Sequence, residues 1–399
     1  MNRIYLDNSA TTPLCKAARA AMTNAMEHYG NPSSLHESGA DAAARLKNDR
    51  AAVCAALGMR DATAGQLIFT GCGTEANTLA VCGVAAAKPK KGERTVLSTD
   101  SEHPSVENNL RRLEKEGYRV VRLSTRGGEL DFSAAEPYLD SSLFMVTAML
   151  VNNETGARYR VEELFRMAHE KNPRCLCHCD ATQAFLKVPF SFDTLGADLL
   201  TVSAHKIGGP KGVGALYARR GIILTNIIEG GAQERGKRAG TENVPGIVGM
   251  AAALKDACDH LDENAKKVSA LRDRLIAGLR KIPHCALNGA ESPRLPGNVN
   301  FCFEGIEGES LLLLLDAKGI SASSGSACTS GSLDPSHVLL AIGRPHEVAH
   351  GSLRLTLCEE NTMEEVEYML DAIPQVVTYL RNMSPVWKEL ERGEKQFML

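Results

Sequence analysis

The chain has 399 residues, of which 44% are hydrophobic and 23% are charged, and its formal net charge at pH 7 is -3. This composition is typical of a soluble globular protein with a substantial core, and the length favours two domains. Without an excess of basic residues, direct binding of nucleic acid or of an anionic membrane is not expected, and small-molecule chemistry is the default prediction.

The N-terminal segment MNRIYLDNSATTP lacks the apolar region of a signal peptide. The longest apolar runs, such as 311–315, are much shorter than the ~20 residues that span a bilayer. Twelve irregularly spaced cysteines in such a chain indicate reduced thiols and argue against a disulfide framework. These features predict a cytoplasmic protein without a membrane segment.

Short apolar segments alternate with amphipathic helical segments as far as about residue 260. This alternation is typical of an α/β fold with a largely parallel sheet flanked by helices. The candidate strands lie at 66–70, 94–99, 119–124, 143–151, 174–180, 199–204 and 214–219.

From about Val244 the pattern becomes helical, and a smaller α+β region follows it. We therefore expect a large domain at 14–257 and a small domain formed by 1–13 and 258–399. The candidate elements of the small domain are the strand 298–305, the helix 308–319 ended by Gly319, the strand 351–357, and a C-terminal helix broken or bent near Pro374.

The first candidate strand leads into a glycine-rich turn and then into a helix. There Gly73 and Thr74 would combine unpaired backbone N–H groups with the positive end of a helix dipole, an arrangement that binds anions such as phosphate. An ordinary strand-to-helix turn with Thr74 as the N-cap explains the same residues equally well.

An acidic residue ends the candidate strand at 174–180. Asp180 and, three residues later, Gln183 would lie at the carboxyl edge of a parallel sheet, where ligands bind. An acid at this position could contact a cofactor. With similar weight, Asp180 could cap the next helix.

A lysine follows the candidate strand at 199–204. Lysine is seldom buried without a partner, so Lys206, next to Ser203 and His205, suggests an amine that forms a Schiff base with a carbonyl-bearing cofactor. Taken alone, a solvated loop lysine would be the better interpretation. Together, the acid, the anion-binding turn and the lysine are the groups that pyridoxal 5'-phosphate (PLP) requires.

Two further residues suit the same crevice. His103 follows the strand at 94–99 and could stack on a planar ring or move protons, although alone it is more typical of a loop histidine. Arg354 alternates with Leu353 and Leu355 on a strand and suits recognition of a carboxylate. Alone, it would be interpreted as a solvent-facing strand residue.

Three cysteines, Cys175, Cys177 and Cys179, alternate along the strand at 174–180 and so share one of its faces. Closed zinc sites usually use spaced knuckles or turns, so buried structural thiols are favoured over a metal site, and we predict no metal.

A different cysteine, Cys328, lies in the segment SSGSACTSGSLDPSH, which offers almost nothing to a core. The pattern predicts a loop over 321–334, followed by a helix with Asp334 as its N-cap and Pro335 as its first residue. Loops near this length are usually functional or disordered, and a disordered surface tip is the competing interpretation.

With these residues together, the chain resembles the NifS/IscS-like cysteine desulfurases, PLP enzymes of fold type I in the class V aminotransferase family. The similarity covers nearly the whole chain. It lies in the motifs YLDNSATTP, GNPSSLH, FTGCGTEAN, SEHPSV, VNNETG, HCDATQAF, SAHKIGGPKGVGALY, GGAQERGKRAGTEN, SSGSACTSGSLDPSHVL and AHGSLRLTL. Cys72 and Cys358 depart from the commonest family pattern and put only local packing in doubt.

The resemblance implies that Lys206 carries PLP, that Asp180 pairs with the ring nitrogen and that His103 stacks over the ring. Other implied roles are contacts to ring substituents or substrate from Asn153 and Gln183, phosphate contacts from Gly73, Thr74, Ser203 and His205, a phosphate contact from the partner subunit's Thr241 in a homodimer, and a substrate-carboxylate site at Arg354 with Asn31 nearby.

The implied reaction converts L-cysteine into L-alanine and leaves a persulfide on Cys328. The sulfur would pass to an acceptor such as an Fe–S scaffold protein or a tRNA-thiolation enzyme. An aminotransferase or a selenocysteine lyase of the same fold is an alternative. A metal carrier using Cys175, Cys177 and Cys179 would leave Lys206 unexplained.

Overall fold

The larger part of the molecule is built on a seven-stranded sheet. The structure is a computed structural model that describes residues 3–59, 67–88, 92–324 and 334–399. The strands of the described ranges, in chain order, are β1 (Ile4–Tyr5), β2 (Leu67–Thr70), β3 (Thr95–Thr99), β4 (Arg119–Leu123), β5 (Leu143–Met149), β6 (Leu176–Asp180), β7 (Leu199–Ser203), β8 (Gly214–Ala218), β9 (Cys285–Leu287), β10 (Asn298–Phe303), β11 (Ile320–Ser321) and β12 (Ser352–Thr356).

Helices surround these strands. The α-helical segments are α1 (Lys16–Met26), α2 (Glu37–Ala56), α3 (Gly73–Thr78), α4 (Val84–Ala87), α5 (Pro104–Lys115), α6 (Val161–Lys171), α7 (Phe192–Leu195), α8 (Gln233–Gly236), α9 (Val244–Asp259), α10 (Leu261–Leu279), α11 (Gly308–Ala317), α12 (His337–Ala341), α13 (His346–Ala349), α14 (Met363–Met383) and α15 (Pro385–Glu391). A π-helical stretch, Leu79–Gly83, joins α3 to α4. In the described part of the chain, no helix is both long enough and apolar enough to cross a bilayer.

The large sheet has the strand order β2-β8-β7-β6-β5-β3-β4. Strand β8 runs antiparallel to its neighbours β2 and β7, and the other pairs are parallel. The predicted α/β class is confirmed, and the seven strands lie where the apolar runs predicted them. These runs are readable because strands covered by helices on both faces are apolar almost throughout.

A second core surrounds the antiparallel sheet β12-β10-β9. Leucines of α10, α11 and β12 pack there with Ile4 and Leu6 from the N-terminus. The N-terminal residues reach this core because β1 pairs with β11 and Asp7 forms a bridge with Thr356. The domain boundary at 257/258 stays a prediction.

Three local predictions have different outcomes. The helix α11 ends before Gly319, which has the left-handed φ of 80° expected of a helix-ending glycine. The helix α14 is not broken at Pro374 but continues through it, with buried Ile373 and Val377 on either side, and the alternative of a bend stays a prediction. The predicted N-cap Asp334 is wrong: α12 begins at His337, and Ser336 Oγ accepts the Val338 N–H at 3.1 Å.

Candidate active site

Polar side chains meet at the edge of the large sheet where its parallel strands end. Asp180 is the last residue of β6, Ser203 is the last residue of β7, and His103 follows β3 as the N-cap of α5. Parallel strands present their carboxyl ends at one edge, so these residues converge. They line a pocket of about 320 Å³ together with Ser9, Ala10, Cys72, Gly73, Thr74, Asn77, Ser105, Met149, Val151, Asn153, Thr182, Gln183, His205, Lys206 and Arg354.

Lys206 lies in a single turn of 3-10 helix directly after β7. Its Nζ donates hydrogen bonds to the carbonyl oxygens of Ser9 at 2.5 Å and Ala10 at 2.7 Å. The N-terminal segment is held against this turn in return, since Thr12 donates N–H and O–H bonds to the His205 carbonyl. Burial and the nearby Lys206 lower the pKa of His205 to about 4, so this imidazole is neutral at pH 7.

The carboxylate of Asp180 is buried and accepts one hydrogen bond on each oxygen. Asn77 Nδ2 donates to Oδ2 at 2.7 Å, and the Thr182 N–H donates to Oδ1 at 2.9 Å. Donors of this kind suit a carboxylate whose remaining lone pairs face a cationic partner. Asn77 was missed by the sequence analysis, although it lies one helical turn after Gly73 and so on the same face of the helix.

His103 contacts Ser105 through its Nδ1 atom. The Ser105 N–H donates to Nδ1 at 3.1 Å, and Ser105 Oγ lies 2.7 Å from the same atom. A ring nitrogen that accepts a backbone N–H carries no proton, so the neutral ring has its proton on Nε2. Burial lowers the pKa of His103, with smaller contributions from Lys206 and His337, against the opposing charge of Asp180.

The turn before α3 has the features of an anion site. Ser203 Oγ is buried, and among the described residues it has no hydrogen-bond partner. A Cβ atom on Gly73 would lie 3.3 Å from Ser203 Cβ and 3.4 Å from Thr182 Oγ1, so glycine keeps this space open. An unpartnered buried hydroxyl beside the start of a helix fits a phosphate group.

Arg354, in the middle of β12, is buried at 3% exposure. Its Nη2 donates to Asp7 Oδ1 at 2.9 Å, and its Nη1 donates to the Asn153 carbonyl at 3.2 Å. Its Nε has no partner in the described ranges. These contacts hold the guanidinium with two of its five N–H donors, and the other three are of the kind that binds a carboxylate. Asp7 was not singled out by the sequence analysis, although it lies in the quoted YLDNSATTP motif.

The remaining predicted residues divide into two groups. Asn153 and Gln183 line the pocket, and Gln183 Nε2 donates to the Ser9 carbonyl at 2.9 Å. Asn31 and Thr241 are exposed, and neither lines the pocket that the described part of one chain forms. Cys328 lies outside the described residues.

The described residues on either side of 325–333 contact the pocket residue Arg354 and two residues next to the pocket in sequence, Glu154 and Glu102. The backbone of Ser323 pairs with that of Arg354. After the segment, Ser336 Oγ donates to Glu154 Oε2 at 2.5 Å, and His337 Nε2 donates to the Glu102 carbonyl at 3.0 Å. Burial raises the pKa of Glu154 to about 7. The described residues Ser323, Ser336 and His337, before and after the segment 325–333, are thus held next to the pocket.

The alternating cysteines Cys175, Cys177 and Cys179 are buried in the hydrophobic core around the seven-stranded sheet, as predicted for structural thiols. Burial raises the pKa of Cys177 and of Cys179. One potential metal-ligating atom from each of His169, Cys177 and Asp198 lies within 4.8 Å of the other two. Asp198 is already ion-paired with Arg219 and accepts the Cys177 N–H, which makes it a poor metal ligand.

Comparisons with known proteins agree with this geometry. A sequence profile described as aminotransferase class-V matches residues 4–369. A cysteine desulfurase from Trichormus azollae is 44% identical over 396 residues, covering 98% of this chain and 97% of the relative. The cysteine desulfurase IscS of Methanosarcina thermophila is 44% identical over 385 residues, covering 96% of this chain and 94% of the relative.

A solved structure titled NifS-like protein superposes with a TM-score of 0.88 at 36% identity, covering 95% of this chain and 100% of that one. The matches extend over nearly the full length of both partners. The chain therefore belongs to the class-V aminotransferase family and, within it, to the cysteine desulfurases.

Proposed function

We propose that the protein is a PLP-dependent cysteine desulfurase that converts L-cysteine into L-alanine and leaves the sulfur as a persulfide on Cys328. The observation that carries this proposal is the assembly of Asp180, Lys206, His103 and Arg354 in one pocket. An amine, a carboxylate, an imidazole and a buried guanidinium match the needs of an amino-acid substrate on a pyridine cofactor.

The pocket residues fit PLP group by group. Lys206 would hold the aldehyde carbon, Asp180 would pair with the ring nitrogen, and His103 would lie over the ring. Contacts to ring substituents would come from Asn153 and Gln183, and contacts to the phosphate from Gly73, Thr74, Ser203 and His205. The unpartnered Ser203 hydroxyl and the space at Gly73 support the phosphate position. When bound, PLP supplies an electron sink for the bonds at the substrate Cα.

The substrate would be oriented by its carboxylate on Arg354. The contacts to Asp7 and the Asn153 carbonyl hold this guanidinium still, and its Nε remains for the ligand. Lys206 Nζ would take the proton from the substrate Cα. Hydrogen bonds to two backbone carbonyls hold Lys206 Nζ near the carboxyl end of β7 before the substrate binds.

In the sulfur-transfer step, the thiolate of Cys328 attacks the substrate sulfur. An S–S bond forms, the Cβ–S bond of the substrate breaks, and the electron pair passes to the substrate carbon skeleton. The transferred sulfur is oxidised, Cβ is reduced, and protonation of the skeleton gives alanine, so L-cysteine and Cys328-SH give L-alanine and Cys328-S-SH. His103, with its proton on Nε2, can return a proton in this sequence.

Three further features of the proposal concern partners and location. A homodimer would bring the partner subunit's Thr241 to the phosphate, and the exposure of Thr241 in the single chain supports this. The substrate-side role of Asn31, exposed here as well, stays part of the same proposal. The persulfide acceptor would be an Fe–S scaffold or tRNA-thiolation protein, and the free thiols of the described residues suit the reducing cytoplasm.

The test is a comparison of two cysteine variants of the purified holoenzyme. Cys328→Ala should retain the yellow chromophore and its bleaching by borohydride but lose sulfide release from L-cysteine. Cys258→Ala is the matched control, because Cys258 is an exposed thiol on α9 outside the pocket. Wild-type sulfide release from Cys328→Ala would contradict the proposal.

The same assay separates the alternatives. A desulfurase forms alanine from L-cysteine without a keto acid, an aminotransferase requires one, and a selenocysteine lyase does not use cysteine. Stoichiometric zinc without a borohydride-sensitive chromophore would instead indicate a metal carrier.

A further inference from the structure

Three buried polar side chains, Asp180, Asn77 and Ser105, and the partly buried His103 form a continuous chain of hydrogen bonds along the lining of the pocket. Asn77 Nδ2 lies 2.7 Å from Asp180 Oδ2 and 2.8 Å from Ser105 Oγ. Ser105 Oγ in turn lies 2.7 Å from His103 Nδ1. Asp180 ends β6 and His103 follows β3, and these two residues are connected by Asn77 and Ser105 on two packed helices.

The direction of each hydrogen bond in this chain is determined by chemistry. A carboxylate only accepts, so the atom of Asn77 that faces Asp180 must be the NH₂ group. That group has two hydrogens, and the second one points at Ser105 Oγ. The Ser105 oxygen therefore accepts from Asn77, and its own hydrogen is free to point at His103 Nδ1.

We propose that Asn77 and Ser105 are positioning residues: Asn77 orients the Asp180 carboxylate and the Ser105 hydroxyl together, and this hydroxyl keeps His103 Nδ1 unprotonated. The Ser105 backbone N–H acts on Nδ1 in the same sense. The imidazole therefore presents Nε2–H as its proton-bearing atom. The inference rests on the proposed function, in which Asp180 and His103 act on one cofactor.

The charged groups that face His103 are known, so its titration can be interpreted. Asp180 at the end of β6 favours the protonated ring, whereas Lys206 after β7 and His337 on α12 oppose it. A hydrogen bond donated to the neutral ring lowers the pKa of the imidazole, and removing the donor raises it. The net contribution of one such bond corresponds to a rise of roughly 0.4 to 1 pH unit.

The experiment titrates His103 by ¹⁵N NMR in protein labelled at its histidine rings, with His103→Gln identifying the signal among the 11 histidines. In the wild type we expect a bare Nδ1 and a protonated Nε2. Ser105→Ala and Asn77→Leu should both raise the titration midpoint, whereas Ser105→Thr, which keeps the hydroxyl, should return it to the wild-type value. Thr78→Ala removes a hydroxyl from α3, the helix of Asn77, at a position outside the pocket, and it should leave the titration midpoint of His103 unchanged.

A protonated Nδ1 in the wild type would overturn the proposal, as would a Ser105→Ala midpoint equal to that of the wild type. The kinetic readout is a lower kcat at nearly constant KM for Ser105→Ala and Asn77→Leu, restored in Ser105→Thr. Loss of activity in Ser105→Thr equal to that in Ser105→Ala would also contradict it. A wild type without desulfurase activity would refute the proposed function, while the NMR titration still decides the hydrogen-bond chain.

Discussion

Replacing Arg354 with lysine should raise the KM for L-cysteine far more than it changes kcat. Arg354 is buried, each of its two Nη atoms uses one hydrogen on Asp7 or the Asn153 carbonyl, and its Nε–H and the second hydrogen of each Nη are left for a substrate carboxylate. Lysine keeps the charge but cannot hold these two partners and a two-point ligand contact at once. A lost hydrogen bond to a charged group costs about 1.5–3 kcal/mol, which corresponds to a roughly 10- to 150-fold higher KM.

The assay compares L-cysteine with cysteamine, which has the same amine and thiol but no carboxylate. Steady-state kinetics give the KM for L-cysteine, and inhibition of the same reaction gives the inhibition constant of cysteamine. Arg354→Lys should weaken the binding of L-cysteine but not that of cysteamine. Asp7→Asn, which removes one contact of the guanidinium but keeps the guanidinium itself, should have a smaller effect in the same direction. Equally weakened binding of both compounds, or an unchanged KM for L-cysteine, would refute the proposal that Arg354 binds the substrate carboxylate.

Three further changes test other parts of the structure. Burial raises the pKa of Glu154 to about 7, so the stability that its protonated form contributes is fully present below the unfolded pKa near 4.5 and is lost as pH rises towards 7. Relative to the wild type, Glu154→Gln should therefore raise the melting temperature more at pH 8 than at pH 5, and the two gains in unfolding free energy should differ by up to about 3 kcal/mol. Equal shifts of the melting temperature at both pH values would contradict this. Gly73→Ala places a methyl group against Ser203 and should weaken PLP retention in equilibrium dialysis, whereas wild-type affinity would argue against the phosphate position. Arg50→Met leaves the carboxylate of Glu234 buried without its two-point partner and should cost about 3–5 kcal/mol in urea unfolding, so a cost below about 1 kcal/mol would show that the pair is not structural.

The residues that sequence predicts well are those whose position in a strand already determines their surroundings. Asp180 and Lys206 lie at or just after the ends of apolar runs. Such a run predicts a strand buried on both faces, and the carboxyl ends of parallel strands of this kind lie at the edge of the sheet where ligands bind. Arg354 could be assigned to a strand by the alternation of Leu353 and Leu355, which lie in the second core. Its approach to the pocket depends on how β12 meets the N-terminal segment.

The residues that were missed or misplaced depend on contacts between distant segments. Asn77 and Ser105 occupy ordinary helix positions, and only the packing of α3 against α5 makes them neighbours. Asp334 and Ser336 are both good N-cap residues, and the hydrogen bond from Ser336 to Glu154 accompanies the start of the helix at His337. Such choices are decided by tertiary contacts that local propensity does not contain.

The most direct test of the proposed reaction is a single turnover with L-cysteine labelled with ³⁴S. The protein is then alkylated, and its peptides are analysed by mass spectrometry while alanine is measured in the same sample. We predict one ³⁴S atom on the peptide containing Cys328, in an amount equal to the alanine formed, without added keto acid. If alanine is formed but the peptide containing Cys328 carries no ³⁴S, the assignment of Cys328 as the sulfur acceptor is contradicted.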